Sequence, residues 1–258
     1  MRRAEHPPSI AASSLRQALC SESGIVCAIG AGGKKTVLHA LLAQSPVRTA
    51  LTCSSYTPTY PATLGARVHI AEVAALHAAL AADPAPRIAY GQPTDKPRRV
   101  GPLDPADILA LHAAGGFALT LVKADGARMR RIKAPAAHEP TVVPGSVVLA
   151  ISSVLAVGRH LDERIAHRPE RISAVTGLPL GAAITASTIA RLYTQPGGLT
   201  HNTGDGRLIA VLNMVDDEAA ARNARAAAAE ILAEAERIER VVLLSEHRAG
   251  HLLEVISR

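Results

Sequence analysis

Residues 24–36, Gly24-Ile25-Val26-Cys27-Ala28-Ile29-Gly30-Ala31-Gly32-Gly33-Lys34-Lys35-Thr36, limit what this chain can fold into more than any other segment does. An apolar run of strand character breaks into a turn with three glycines, then two lysines and a threonine. Residues 37–42 follow with helical spacing. Strand, glycine loop and helix in that order make a phosphate-binding loop. Residues without a Cβ let successive N–H groups converge on an anion, the helix start adds its dipole, and a lysine adds a full charge. A glycine turn that only lets strand and helix pack closely is the alternative. The lysine pair argues for the anion, because each cation at a helix N-terminus is unfavourable by roughly 0.3–1 kcal/mol unless something negative sits there.

The motif departs from its standard form of Gly, four residues, then Gly-Lys-Ser/Thr. Aligned on Gly33-Lys34, Ala28 stands at the first glycine, Lys35 stands where the magnesium-binding hydroxyl belongs, and Thr36 is one position late. The candidate ligand contacts are Gly30, Ala31, Gly32, Gly33, Lys34, Lys35 and Thr36. The apolar run at 118–122 ends in Lys123-Ala124-Asp125-Gly126, and an acidic residue at such a strand end commonly serves a nucleotide-bound magnesium. Lys34 and Asp125 are therefore the candidate catalytic residues, and Thr36 and Asp125 the candidate metal ligands.

Further strands are expected at 48–53, 68–70, 146–152, 208–212 and 241–244, and helices at 72–82, 105–113 and 217–237. Ser13 or Ser14 can cap a short helix reaching Leu19. The stretch 84–102, with five prolines, reads as irregular. Alternating strands and helices predict an α/β fold, a mostly parallel sheet with helices on both faces, P-loop NTPase-like. The organisation expected is a flexible lead-in at 1–12 and a single domain over 13–258, with a helical insertion around 157–199. Polar residues Ser54 to Thr59 follow a strand end and are placed for ligand contact.

The 258-residue chain is 48% hydrophobic with one Phe, four Tyr and no Trp, so its core is aliphatic. No run of eighteen apolar residues is present, and the charged N-terminal residues lack the apolar core of a signal peptide, so a cytoplasmic protein without a membrane span is expected. Cys20, Cys27 and Cys53 are odd in number and lack metal-ligand spacing, which argues against a disulfide framework or a zinc site. The charge of +6 is spread along the chain without a basic run or aromatic platforms. That pattern disfavours nucleic acid and favours small acidic ligands.

The ordered series Gly30-Ala31-Gly32-Gly33-Lys34, Ala124-Asp125-Gly126-Ala127, Lys133-Ala134-Pro135, His138-Glu139-Pro140, His167-Arg168-Pro169-Glu170, and Asn213 with Asp216 resembles the YqeC-type proteins. That family is described as accessory to selenium-dependent molybdenum hydroxylases. The resemblance implies a P-loop NTPase fold and a molybdenum hydroxylase as client. The family pattern has Thr at position 35 and Glu at position 123, and this chain has lysine at both. Two ammonium groups at positions expected to converge suggest that lysine stands in for the metal's charge, so that magnesium matters little. Alternatively Thr36 and Asp125 still hold magnesium and both lysines point outward.

Asn213-Met214-Val215-Asp216 resembles the Asn-Lys-x-Asp signature by which GTPases read guanine, and Ser245 stands where the next base-side loop begins. Asn213 and Asp216 are thus the candidate base readers. GTP or ATP is the expected ligand. One reading is a maturation factor that binds and hydrolyses the nucleotide. The other is a scaffold for a phosphorylated ligand, such as the molybdenum cofactor, without magnesium-dependent hydrolysis. His138, Glu139, His167 and Arg168 form either a substrate or partner surface or a set of caps and ion pairs.

Overall fold

The computed structural model describes residues 14–245 and 251–258, so the lead-in read at 1–12 and the alternative cap Ser13 lie outside the described residues. In chain order the elements are α1 (Leu15–Ala18), β1 (Gly24–Gly30), α2 (Lys34–Gln44), β2 (Thr49–Cys53), β3 (Thr57–Pro58), β4 (Arg67–Ile70) and α3 (Val73–Ala82). There follow β5 (Arg87–Gly91), β6 (Arg99–Val100), α4 (Pro105–Ala114), β7 (Leu119–Lys123), β8 (Ile132–Lys133), β9 (Val147–Ser153) and β10 (Ala166–His167). The chain closes with α5 (Pro169–Thr176), α6 (Ala186–Thr194), β11 (Leu208–Asn213), α7 (Glu218–Glu234), β12 (Ile238–Ser245) and β13 (His251–Ser257).

Nine strands form one sheet in the order β13-β12-β11-β9-β1-β7-β2-β5-β4, parallel throughout except for the β12–β13 pair. The strand with the glycine loop is central, hydrogen-bonded to β7 on one side and β9 on the other. Because side chains alternate along a strand, β1 feeds two cores. Val26 and Ala28 pack with Leu15 of α1 and Val37, Leu38 and Leu41 of α2 on one face. Cys27 and Ile29 belong to the other core, with Leu76 of α3, Ile108 of α4, Ile189 of α6 and Ile231 of α7. Each such aliphatic side chain taken from water contributes about 1.5–3 kcal/mol, so burial on both faces fixes β1 and its loop. This is the α/β, P-loop NTPase-like fold that the strand and helix pattern predicts.

Two strands of the sheet were not legible in the sequence. In the proline-rich stretch, Arg87-Ile88-Ala89-Tyr90-Gly91 is a five-residue strand held by β2 and β4, and tertiary pairing outweighs the surrounding prolines. After the expected last strand, β13 returns antiparallel along β12, with only Val255 and Ile256 buried. In the region read as a helical insertion, α5 and α6 are present, and β10 pairs in parallel with β8, fastening this region to residues 132–133. No helix among the described residues is long and apolar enough to cross a membrane.

At the opposite end of the sheet from the glycine loop, Arg48 gathers the ends of two helices and a loop. Its guanidinium donates to the carbonyls of Leu80, Asp83, Ala85 and Gly115 at 2.5–3.1 Å and lies 4.9 Å from the Phe117 ring centre. Lysine cannot reproduce this planar fork. Arg48→Lys is expected to cost about 2 kcal/mol, read as a lower urea midpoint with an unchanged slope.

Candidate phosphate-binding site

Parallel strands bring their C-terminal ends to one edge, so β1, β7, β9 and β11 deliver Gly30, Asp125, Ser153 and Asn213 to one corner. The registers Ala28↔Lys123, Gly30↔Ile151 and Asn213↔Ser153 set their heights. The loop turns there on three glycines with φ of +88° at Gly30, +84° at Gly32 and +113° at Gly33, values that side chains with a Cβ rarely tolerate.

The first part of the loop is consumed by the protein itself. Gly30 N–H donates to Asp125 Oδ2 at 2.9 Å, Ala31 N–H to the Ile151 carbonyl at 2.9 Å, and Gly32 N–H to the Arg130 carbonyl at 3.0 Å. Asn213 Nδ2 donates to the Gly32 carbonyl at 2.9 Å. The second part is not consumed. Among the described residues the N–H groups of Gly33, Lys34, Lys35 and Thr36 have no protein acceptor, while Val37 N–H already closes the first helical bond to the Gly33 carbonyl. Four successive donors at the head of an eleven-residue helix have the arrangement that holds an anion.

A chain of alternating charges lies beneath these donors. Lys34 Nζ donates to the Gly30 carbonyl and sits 2.9 Å from Asp125 Oδ1. Asp125 Oδ2 is 2.9 Å from Lys133 Nζ, which also donates to the Gly126 carbonyl at 2.7 Å and pairs with Glu139 Oε2 at 2.9 Å. Arg168 Nη1 closes the chain on Glu139 Oε2 at 2.6 Å. Lys133 is wholly buried and Asp125 is 2% exposed. Burial lowers the pKa of Lys34, and Asp125 opposes that shift.

The structure therefore places Glu139 and Arg168 in an ion pair attached to the loop's own carboxylate, and Lys133, quoted above only as part of a motif, becomes the link. Sequence reasoning missed Lys133 as a site residue. The one available signal was a lysine set between Ile132 and Ala134 in an apolar strand.

Burial by itself would raise the Glu139 pKa, but hydrogen bonds from Arg168 and Lys133 overcome it and bring the group to about 2. The sign follows from linkage: a carboxylate with a depressed folded pKa adds stability above its unfolded value of 4.5, and that stability is lost as pH falls from there toward 2. The difference corresponds to about 3 kcal/mol. His167, lowered to about 4 by burial and then by Arg168 and Lys133, works in the same direction, losing its contribution between pH 6.5 and 4. Urea unfolding at pH 3 and pH 7 is expected to show wild type losing more stability than Glu139→Gln, whose pH 7 advantage is already gone.

Thr36, half-buried in the first turn of α2, makes no hydrogen bond to Asp125 among the described residues, and the carboxylate is committed to Gly30 N–H and two lysines. A metal at Asp125 in this arrangement would share the carboxylate with two ammonium groups. Among the described residues no three His, Cys, Asp or Glu side chains gather as metal ligands. Lys35 and Lys123 line one cavity beside the loop, Lys35 exposed and Lys123 buried. Burial and then Lys34 depress Lys123 to about 8.

Asn213 is 1% exposed and braces the loop, while Asp216 Oδ1 accepts from Ser245 Oγ at 2.5 Å beside a cavity of about 310 Å³ that Arg225, Leu253 and Glu254 help to line. Met214 Sδ accepts from Ser153 Oγ at 2.8 Å and from Arg131, and the Met214 methyl group lies next to Gly33.

The uncharacterized protein YqeC of Escherichia coli (strain K12) is 26% identical over 185 residues, covering 70% of this chain and 72% of that protein. A family model described as YqeC protein matches residues 26–170, a span that holds the glycine loop, Asp125, Lys133, Glu139 and Arg168. By that match, over more than half of its length, the chain belongs to the YqeC family.

Proposed function

We propose that this protein works in the cytosol as an accessory factor in the maturation of a molybdenum hydroxylase, holding the phosphates of GTP or ATP on residues 30–36. The observation that carries this reading is the run of four N–H groups without acceptors, Gly33 to Thr36, above the Lys34 ammonium. The amides grip phosphate oxygens and Lys34 neutralises their charge. Lys133 stays on Asp125 when Lys34 turns to a phosphate, so the carboxylate keeps a partner. Asp216, ordered by Ser245 next to its cavity, serves as the reader of the base. The loops at 54–59 and 128–139, at the same sheet edge, carry the ligand state to the client.

A second reading has its own support. Asp125 is engaged by two lysines, which favours a phosphate-binding scaffold that holds its nucleotide, or a phosphorylated cofactor, without magnesium-dependent hydrolysis. Calorimetry with GTP, ATP and inorganic pyrophosphate, each with magnesium and with EDTA, together with phosphate release, decides between the two. Tight nucleotide binding that needs magnesium and leads to release supports the hydrolysing factor. Binding that survives EDTA without turnover supports the scaffold. No binding of any of the three would overturn the hydrolysing factor and the nucleotide scaffold alike, and would move the search to a phosphorylated cofactor or the client.

A further inference from the structure

The cavity between α2 and the segment from β2 to β3 measures about 200 Å³ and is walled by Lys35, His39, Thr52, Thr57, Thr59 and Lys123 among others. Of residues 30–36 only Lys35 lines it, so the cavity lies beside the loop and shares that one residue with it. Its polar groups are unbalanced. Lys123 is 9% exposed, and its ammonium donates to Ser55 Oγ at 2.8 Å and to the Tyr56 carbonyl at 2.9 Å, both uncharged. Among the described residues no carboxylate pairs with Lys123 or with Lys35, and no acidic residue lines the cavity. Thr57 is 4% exposed, and among the described residues its hydroxyl has no hydrogen-bond partner.

Burying an ammonium without a paired carboxylate is unfavourable, and the charge of Asp125 offsets that only in part at Lys123. Sequences tolerate it where a ligand supplies the missing charge. Here two lysines and a threonine with an idle hydroxyl belong to the wall of one small space. At about 30 Å³ for a water, the cavity has room for roughly seven, which suits a small molecule or the head of one.

We infer that this cavity is a second ligand site that takes a small carboxylate- or phosphate-bearing molecule, separate from any nucleotide on the loop and bound by Lys35, Lys123 and Thr57. The anion lies between the two ammonium groups, with the Thr57 hydroxyl donating to it. The site sits beside the helix whose head forms the loop, so the protein can hold two anionic ligands side by side. The inference stands on this cavity alone and does not require that the loop bind nucleotide.

Amide NMR of the full chain, titrated with inorganic phosphate and separately with malonate, tests it. Saturable shifts at Thr57, Thr59 and Lys123 are expected with at least one of the two. Lys35→Ala, at an exposed position that leaves the fold intact, is expected to weaken that binding about tenfold, as for loss of one charge-assisted contact. Lys123→Met is expected to abolish it while thermal unfolding remains cooperative. Repeating the titration with GTP present separates the sources of the anion: shifts at Thr57 and Thr59 that persist support a separate ligand. Shifts that GTP alone reproduces would mean that the nucleotide's own terminal phosphate fills the cavity, which overturns the inference. Shifts confined to residues 33–36, no saturable shift with either anion, or unchanged affinity in Lys35→Ala would overturn it as well. The residue 33–36 signals report separately on the loop, so failure there leaves this result readable.

Discussion

Asp125→Ala is expected to destabilise the protein by about 3–5 kcal/mol, because breaking a buried pair leaves its partner charged and unmatched. Here one carboxylate answers two buried ammonium groups, Lys34 and Lys133, and also the Gly30 N–H. Lys133 keeps Glu139, but among the described residues Lys34 keeps only the Gly30 carbonyl. Asp125→Asn retains an acceptor for Gly30 N–H and removes only the charge, so it falls between alanine and wild type. Urea unfolding measures the order wild type, Asn, Ala. The double variant Asp125→Asn with Lys34→Met is expected to recover part of the loss, since it removes the stranded cation together with its partner. A single cost for Asp125→Ala below about 1 kcal/mol, as for exposed pairs, would show that the charge chain does not hold the loop.

Gly32→Ala is expected to cost about 2–4 kcal/mol and, under the proposed function, to abolish phosphate binding at the loop. An added Cβ would lie 2.6 Å from the Arg131 carbonyl oxygen, 2.6 Å from Ser153 N and 2.5 Å from Ser153 Cβ, and two of those walls are backbone, which cannot step aside. The φ of +84° adds its own strain. Gly33 gives the contrast. There the obstacle is a side chain, Asn213 Nδ2, at 2.1 Å. Gly33→Ala combined with Asn213→Ala is therefore expected to be less destabilised than the two single costs added together, whereas Gly32→Ala combined with Ser153→Ala gains little because the backbone contacts remain. Urea midpoints for the two cycles make the comparison, and pyrophosphate calorimetry on the folded variants reads the loop itself.

How much of the site was legible depends on the distance along the chain over which its parts meet. Local chemistry determined the strand, the glycine turn and the helix of 24–44, because apolar spacing, absent Cβ atoms and helix propensity act within a few residues of one another. The same kind of signal gave the main alternation of strands and helices, and with it the α/β class. Motif order along the chain gave the family. It did not give the strand at 87–91, whose five residues gain their order from pairing with β2 and β4, nor the edge strand after 250, of whose seven residues only Val255 and Ile256 are buried.

Only the tertiary structure decided which groups meet the loop. Asp125 reaches Gly30 across 95 residues and Asn213 reaches Gly32 across 181, and those contacts follow from β7 and β9 flanking β1 in the sheet and β11 lying beyond β9. Strand order is a property of the whole packing and leaves no periodic trace in any one segment. The same packing turned Lys133, Glu139 and Arg168 from separate motifs into one charge chain, and set Lys35 and Lys123 around one cavity. The sequence by itself thus determined that a glycine turn with a following lysine joins a buried strand to a helix. The fold decided which donors remain open there, because each closed donor is closed by an acceptor from a distant strand or its following loop.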